Sequence, residues 1–202
     1  MTHRASHSHG IRNALADKPA AGETVFIILD LISDWTFPDA HKLLPRAAAI
    51  APRVRALRDR CQRAGVPTIY CNDNRGHWRS DFRQVISLSQ QAGGAGARIT
   101  ALLAPSEDDF FVLKPKHSAF FGTPLELLLQ HLRARRLILS GVASDQCVVA
   151  TAFDARMRDY EVVVPRDCVA SQSASRNRRA IEHLAAATSI RTAPSGRLRL
   201  PR

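Results

Sequence analysis

From residue 24 onward, short apolar runs alternate with longer stretches in which apolar side chains recur every three or four positions. Residues 24–29 (TVFIIL) form a β-branched, nearly unbroken apolar run, the pattern of a strand buried on both faces. Residues 38–64 are helical in pattern, with Leu43, Leu44, Ala47, Ile50, Val54, Leu57 and Cys61 on one side. Pro45 and Pro52 predict a kink or a late start there, and Gly65 a stop. A second strand follows at 66–71 (VPTIYC), then a polar loop at 72–79 (NDNRGHWR). Ser80 or Asp81 caps a helix running to about Gln91, which residues 92–96 break. The remaining pattern predicts strands at 110–113, 137–139 and 161–164, a short sixth at 189–191, and helices at 125–132, 145–158 and 174–187.

Strand and helix thus alternate about five times, which predicts a three-layer α/β/α fold with a Rossmann-like, mostly parallel sheet of five to six strands. The domain is expected over residues 23–193, preceded by a disordered or loosely docked arm at 1–22 and followed by a frayed basic tail at 194–202. A chain of 202 residues suits one domain of this kind.

Composition narrows the setting. No apolar run reaches the ~18 residues of a membrane span, and the His-bearing first twenty residues lack an apolar signal core, so a cytoplasmic protein is expected. Cys61, Cys71, Cys147 and Cys168 form no C-x-x-C pair, which argues against a structural zinc site, and disulfides are not expected. The net charge of +11 raises the question of nucleic acid, but the Arg excess is spread along the helices and tail and no nucleic-acid-reading motif accompanies it. The partner expected is a small molecule, with neither nucleic acid nor membrane.

Ligands in parallel α/β sheets sit beyond the carboxyl ends of the strands. Asp30 closes the first strand, Lys114 the third, and Cys147 lies in the first turn of the helix after LILSGV. Together they make a complete set for nucleophilic catalysis. A thiol near pKa ~8.5 is mostly protonated at neutral pH, and a helix start and a nearby ammonium both favour its anion. Asp30 is placed to accept the proton and later help activate water, and Lys114 to hold Asp30 ionised. The stretch Gly141–Cys147 supplies backbone N–H groups for an oxyanion. Lys116 is the rival for the lysine role.

These residues carry a resemblance. The segments FIILDLISDW, VLKPKHSAFFGTPL, SGVASDQCVVATAFDA and VVVPRDC occur in the order and at the strand ends seen in the isochorismatase-like cysteine hydrolases, a superfamily of nicotinamidases, N-carbamoylsarcosine amidases and isochorismatases. The chain resembles that family over about residues 24–191. The resemblance implies a triad of Cys147, Asp30 and Lys114, with Lys114 preferred to Lys116 by its offset from Ser118-Ala119-Phe120. It implies a cis peptide at Val142–Ala143, with the N–H groups of Ala143 and Cys147 as the oxyanion hole. It also implies a homo-oligomer, to which the crowding of Phe110, Phe111, Phe120, Phe121 and Leu125 adds an apolar patch.

The departures matter as much. Many members carry Gln-Asn after the first Asp, where this chain has Ile32-Ser33. Nicotinamidases begin a metal set with Asp-x-His, where this chain has Asp73-Asn74-Arg75 with His77 nearby, so no metal and no cofactor are expected. Trp35, Trp78 and Phe120 are read as pocket walls. The expected activity is hydrolysis of a small amide or carbamoyl-type C–N bond through an acyl-enzyme. The alternatives are an enol-ether hydrolase of isochorismatase type, in which Asp30 acts as acid, and a non-catalytic binding protein on the same fold.

Overall fold

The computed structural model describes residues 23–76, 78, 81–188 and 190–201. The arm expected at 1–22 and His77 lie outside the described residues. Five parallel strands run in the order β3-β2-β1-β4-β5: β1 (Thr24–Leu29), β2 (Thr68–Asp73), β3 (Phe110–Lys114), β4 (Arg136–Val142) and β5 (Glu161–Val163). A two-residue strand β6 (Val169–Ala170) pairs with the end of β4. The helices are α1 (Ala40–Arg63), α2 (Phe82–Gln91), α3 (Gly94–Leu102), α4 (Leu125–His131), α5 (Val149–Met157) and α6 (Ala174–Thr188).

The unbroken apolar run of β1 has the expected cause. Phe26 and Ile28 enter one core with Leu43, Ala47, Val54 and Leu57 of α1. Val25, Ile27 and Leu29 enter the other with residues of α4, α5 and α6 such as Leu129, Ala152 and Leu184. Alternate side chains of one strand thus serve two layers. Helix α1 continues through Pro45 and Pro52, both on the exposed side, where water can bond the carbonyls that lose an N–H partner. Asp81 caps α2, its carboxylate accepting the Gln84 N–H at 2.8 Å.

Three elements depart from expectation. Residues 94–102, not read as helix, form α3, and Gly96 is needed there because a Cβ would collide with the Trp35 indole. The short sixth strand expected at 189–191 reduces, among the described residues, to a single bridge between Val163 and Arg191. The end of the chain is docked rather than frayed. Arg60 donates to the Ser195 and Leu198 carbonyls at 2.7 Å each, Asp167 accepts from Ser195, and Leu198 and Leu200 pack on the α1 core.

Candidate active site

The sheet order reverses at β1, with β2 on one side and β4 on the other, and the candidate site lies beyond the strand ends there. The parallel register sets the three residues side by side. Leu29, the last residue of β1, pairs with both Cys71 and Gly141, and Asp73 pairs with Lys114. Gly141 has φ +107° and runs so close to the Leu29 carbonyl that any Cβ would overlap it. The Val142–Ala143 peptide that follows is cis. The chain then enters a π-turn, Ser144–Val148, in which the Val148 N–H bonds the Ala143 carbonyl before α5 begins. Such wide turns recur at functional sites.

Lys114 is fully buried yet charged, and its surroundings explain how. Its Nζ lies 2.9 Å from Asp30 Oδ2, 3.7 Å from Asp73 Oδ2 and 3.4 Å from Cys147 Sγ, and donates to the Lys116 carbonyl at 3.2 Å. Burial alone would lower its pKa; Asp30, Cys147 and Asp73 together outweigh that and hold the ammonium well above its ordinary range. Lys116 itself contributes only this backbone oxygen to the cluster. Asp30 sits in the left-handed region at φ 54°. Its Oδ1 accepts the Asp73 N–H at 2.7 Å, while Oδ2 has the ion pair and no hydrogen-bond donor among the described residues.

Cys147 is 7% exposed. Burial, and then the Asp30 charge, push its thiol well above the usual range, against the smaller opposing pull of Lys114. The resting group is therefore a thiol. A thiolate stabilised in advance, as the helix start and ammonium suggested, is not what this balance gives. The other cysteines are also free and fully buried, with burial raising Cys61 and Cys168 to about 12.

Asp30, Asp73, Ala143 and Cys147 open onto a cavity of about 410 Å3, a size that suits a small organic ligand. Its apolar wall comes from Phe37, Leu43, Val85 and Leu88, and its polar wall includes Arg75, Gln146 and Gln172. Arg75 is fixed by Ser33 Oγ at 2.7 Å and Asp34 Oδ1 at 3.1 Å, and lies over the Phe37 ring.

None of the three aromatics expected as walls lines this cavity. Trp35 turns inward at φ 57° and packs beside Gly96 in the α1 core. Trp78 is 78% exposed. Phe120 is drawn to the opposite core because its neighbours are tied to α5, Ser118 to Asp154 and the Ala119 N–H to Thr151 Oγ1 at 3.0 Å; its ring meets Tyr160 and Arg158.

Sequence reasoning missed Arg75 and His117, while Phe37, an aromatic it placed near the mouth, does line the cavity. His117 Nδ1 lies 3.6 Å from Cys147 Sγ on the solvent-exposed side, although the two are 30 residues apart. Arg75 stands two residues after Asp73, where a metal set would need a ligand, and Asp73 is already engaged with Lys114 and the Arg75 N–H. These residues do not fit a divalent ion.

Residues 24–194 match the isochorismatase domain model. An uncharacterized isochorismatase family protein, YaaI of Bacillus subtilis, is 35% identical over 152 residues, 75% of this chain and 82% of that protein. The N-carbamoylsarcosine amidase of an Arthrobacter species is 28% identical over 155 residues, 71% of this chain and 58% of its own. A probable inactive nicotinamidase of Arabidopsis thaliana is 28% identical over 158 residues, covering 73% of this chain and 81% of its own. The fold is shared with an isochorismatase family protein of Desulfovibrio vulgaris, at TM-score 0.68 and 23% identity over 86% of this chain and 95% of that one. With a family model spanning nearly all of the described sheet and helices, the chain belongs to the isochorismatase family, whose members are hydrolases.

Proposed function

We propose that this hydrolase cleaves a C–N bond of a small amide or carbamoyl-type substrate, with Cys147 as nucleophile and Asp30 and Lys114 completing the triad. One observation carries the reading: a single buried ammonium lies 3.4 Å from the sulfur and 2.9 Å from the carboxylate at the floor of the cavity. Because the resting thiol is protonated, attack and proton transfer are coupled. Asp30 Oδ2 takes the proton as Sγ bonds the substrate carbonyl carbon. The N–H groups of Ala143 and Cys147 receive the oxyanion. Lys114 keeps the carboxylate ionised beforehand and stays charged throughout. Asp30 returns that proton to the nitrogen as the C–N bond breaks, leaving a thioester that water, deprotonated by the same carboxylate, hydrolyses. The fixed Arg75–Asp34 pair and the glutamines offer both donors and acceptors to a polar substrate.

The test is a screen of the wild-type enzyme over small amides, ureas and carbamoyl compounds. Any compound hydrolysed by the wild type should be untouched by Cys147→Ala and released as an acid plus an amine. Cleavage of enol ethers by both proteins, with amides inert, would replace this reading by the isochorismatase-type one.

Two further features belong to the proposal. Four free thiols suit the reducing cytoplasm. Exposed Phe111, Phe121, Leu127 and Met157 supply apolar surface for a homo-oligomer. Among the described residues no helix is long and apolar enough to cross a membrane.

A further inference from the structure

Two carboxamides that line the cavity, Asn72 and Gln172, have their orientation set by the protein. A carboxamide carries donors on its nitrogen and an acceptor on its oxygen, so what it offers a ligand depends on which end is already taken. In Asn72 the nitrogen is taken: Nδ2 donates to the Ile32 carbonyl at 2.5 Å. Turning the group over would set two oxygens against each other, so Oδ1 is the free end. That oxygen is buried, in a residue only 2% exposed, and has no hydrogen-bond donor among the described residues. An unpaired buried acceptor is destabilising, and a ligand N–H would satisfy it.

Gln172 is fixed the other way. Its Oε1 accepts from Nη1 of Arg176, and a guanidinium has only donors to give. The free end of Gln172 is therefore Nε2, a donor. The clamp is anchored at its far side, where Arg176 Nε donates to Asp145 Oδ2 at 2.5 Å and Asp145 Oδ1 accepts from Ser171. Asp145 belongs to the turn Ser144–Val148 that carries Cys147, and β6, which leads into Gln172, pairs with the end of β4 that leads into the same turn. The donor and the sulfur are thus held in one frame.

Charge narrows the ligand further. Three carboxylates line the cavity, Asp30, Asp34 and Asp73. Two cations stand against them, Arg75 beside Asp34 and Lys114 between Asp30 and Asp73. Whatever charge His117 carries, the sum is not positive, so the site holds no surplus cation for an acidic ligand.

We propose that Asn72 and Gln172 are specificity-determining residues that select a neutral substrate, Asn72 accepting an N–H and Gln172 donating to a carbonyl oxygen other than the scissile one, which the oxyanion hole holds. The ligand class is a neutral diamide or ureide, without a carboxylate. The inference rests on the amidase reading for calling this ligand a substrate.

Calorimetry on Cys147→Ala, which binds without turnover, tests it. The ligands are the diamides of malonic, succinic and glutaric acids, the mono-acid of each (one carboxamide, one carboxylate) and the tetramethylated diamides, which have no N–H. At least one diamide should bind, about tenfold or more tighter than its mono-acid and its tetramethyl form, since one such hydrogen bond is worth up to about tenfold. Gln172→Glu in the same background keeps an acceptor on Arg176 but replaces the free donor with an oxygen, and should weaken the diamide about tenfold. No binding by any diamide, a mono-acid or tetramethyl form that binds as tightly, or an unchanged Kd in Gln172→Glu would overturn the assignment. The two readings fail separately. This pattern of binding in a protein whose wild type hydrolyses no amide would uphold the ligand class and reject the amidase, whereas an active amidase whose ligands ignore the pattern would do the reverse.

Discussion

Asp30→Asn replaces a charged carboxylate with a neutral amide of the same shape, and two measurable quantities should move in opposite directions. Turnover should fall by at least about a hundredfold, because the base is gone. The sulfur should become more reactive. Asp30 Oδ2 and Cys147 Sγ lie 2.9 and 3.4 Å from the same Lys114 nitrogen. They are therefore at most about 6.3 Å apart, and at an effective dielectric of ~20 a thiolate there is repelled by about 2.6 kcal/mol or more. At about 1.4 kcal/mol per factor of ten, removing the charge raises the thiolate fraction roughly 80-fold. A less basic thiolate is also a weaker nucleophile, with a Brønsted slope of about 0.4–0.5, which leaves a gain of roughly tenfold in alkylation rate. Iodoacetamide labelling at neutral pH, followed on the tryptic peptide 137–156, measures it. If turnover and alkylation fell together, Asp30 would only shape the site, and the electrostatic reasoning would be refuted.

Lys114→Met should abolish turnover and destabilise the fold, since it strands Asp30 without its cation; breaking such a buried pair costs about 3 kcal/mol or more, roughly 10 °C in Tm for a domain of this size. Lys116→Ala keeps the carbonyl that Lys114 uses and should stay within about 0.5 kcal/mol of the parent in a thermal melt. In the folded wild type, Cys147 should be alkylated before Cys61, Cys71 and Cys168, which are fully buried, and mapping that found one of those labelled first would contradict the site. Light scattering should give a particle larger than the 22.3 kDa chain; a fully active monomer at assay concentration would show that the exposed phenylalanines serve no interface.

How much of this was legible in the chain follows from how local each signal is. The β1, β2 and β4 runs announce themselves because both faces of each strand are buried, and the residues closing β1 and β3 then fall at one sheet edge by topology alone. That is why Asp30 and Lys114 could be named from sequence. The burial of Lys114 was not legible: strand-end position does not reveal that two carboxylates and a thiol would enclose its ammonium. Helix α3 was obscured by Gly94 and Gly96, the latter kept by the Trp35 ring, a contact 61 residues away that no periodicity carries. The same contact explains the error over Trp35. Its loop position pointed to the cavity, but its ring is placed by the space Gly96 leaves. His117 gave no signal because its only distinction, proximity to Cys147, arises from the anchoring of its loop on α5.

The most direct test of the account is mass spectrometry of the enzyme quenched during turnover of an amide or carbamoyl substrate. The account predicts an acyl adduct on peptide 137–156 at Cys147, formed and lost at the rate of turnover and absent in Cys147→Ala. Steady hydrolysis by the wild type with no adduct on that peptide, at a rate that Cys147→Ala preserves, would contradict it.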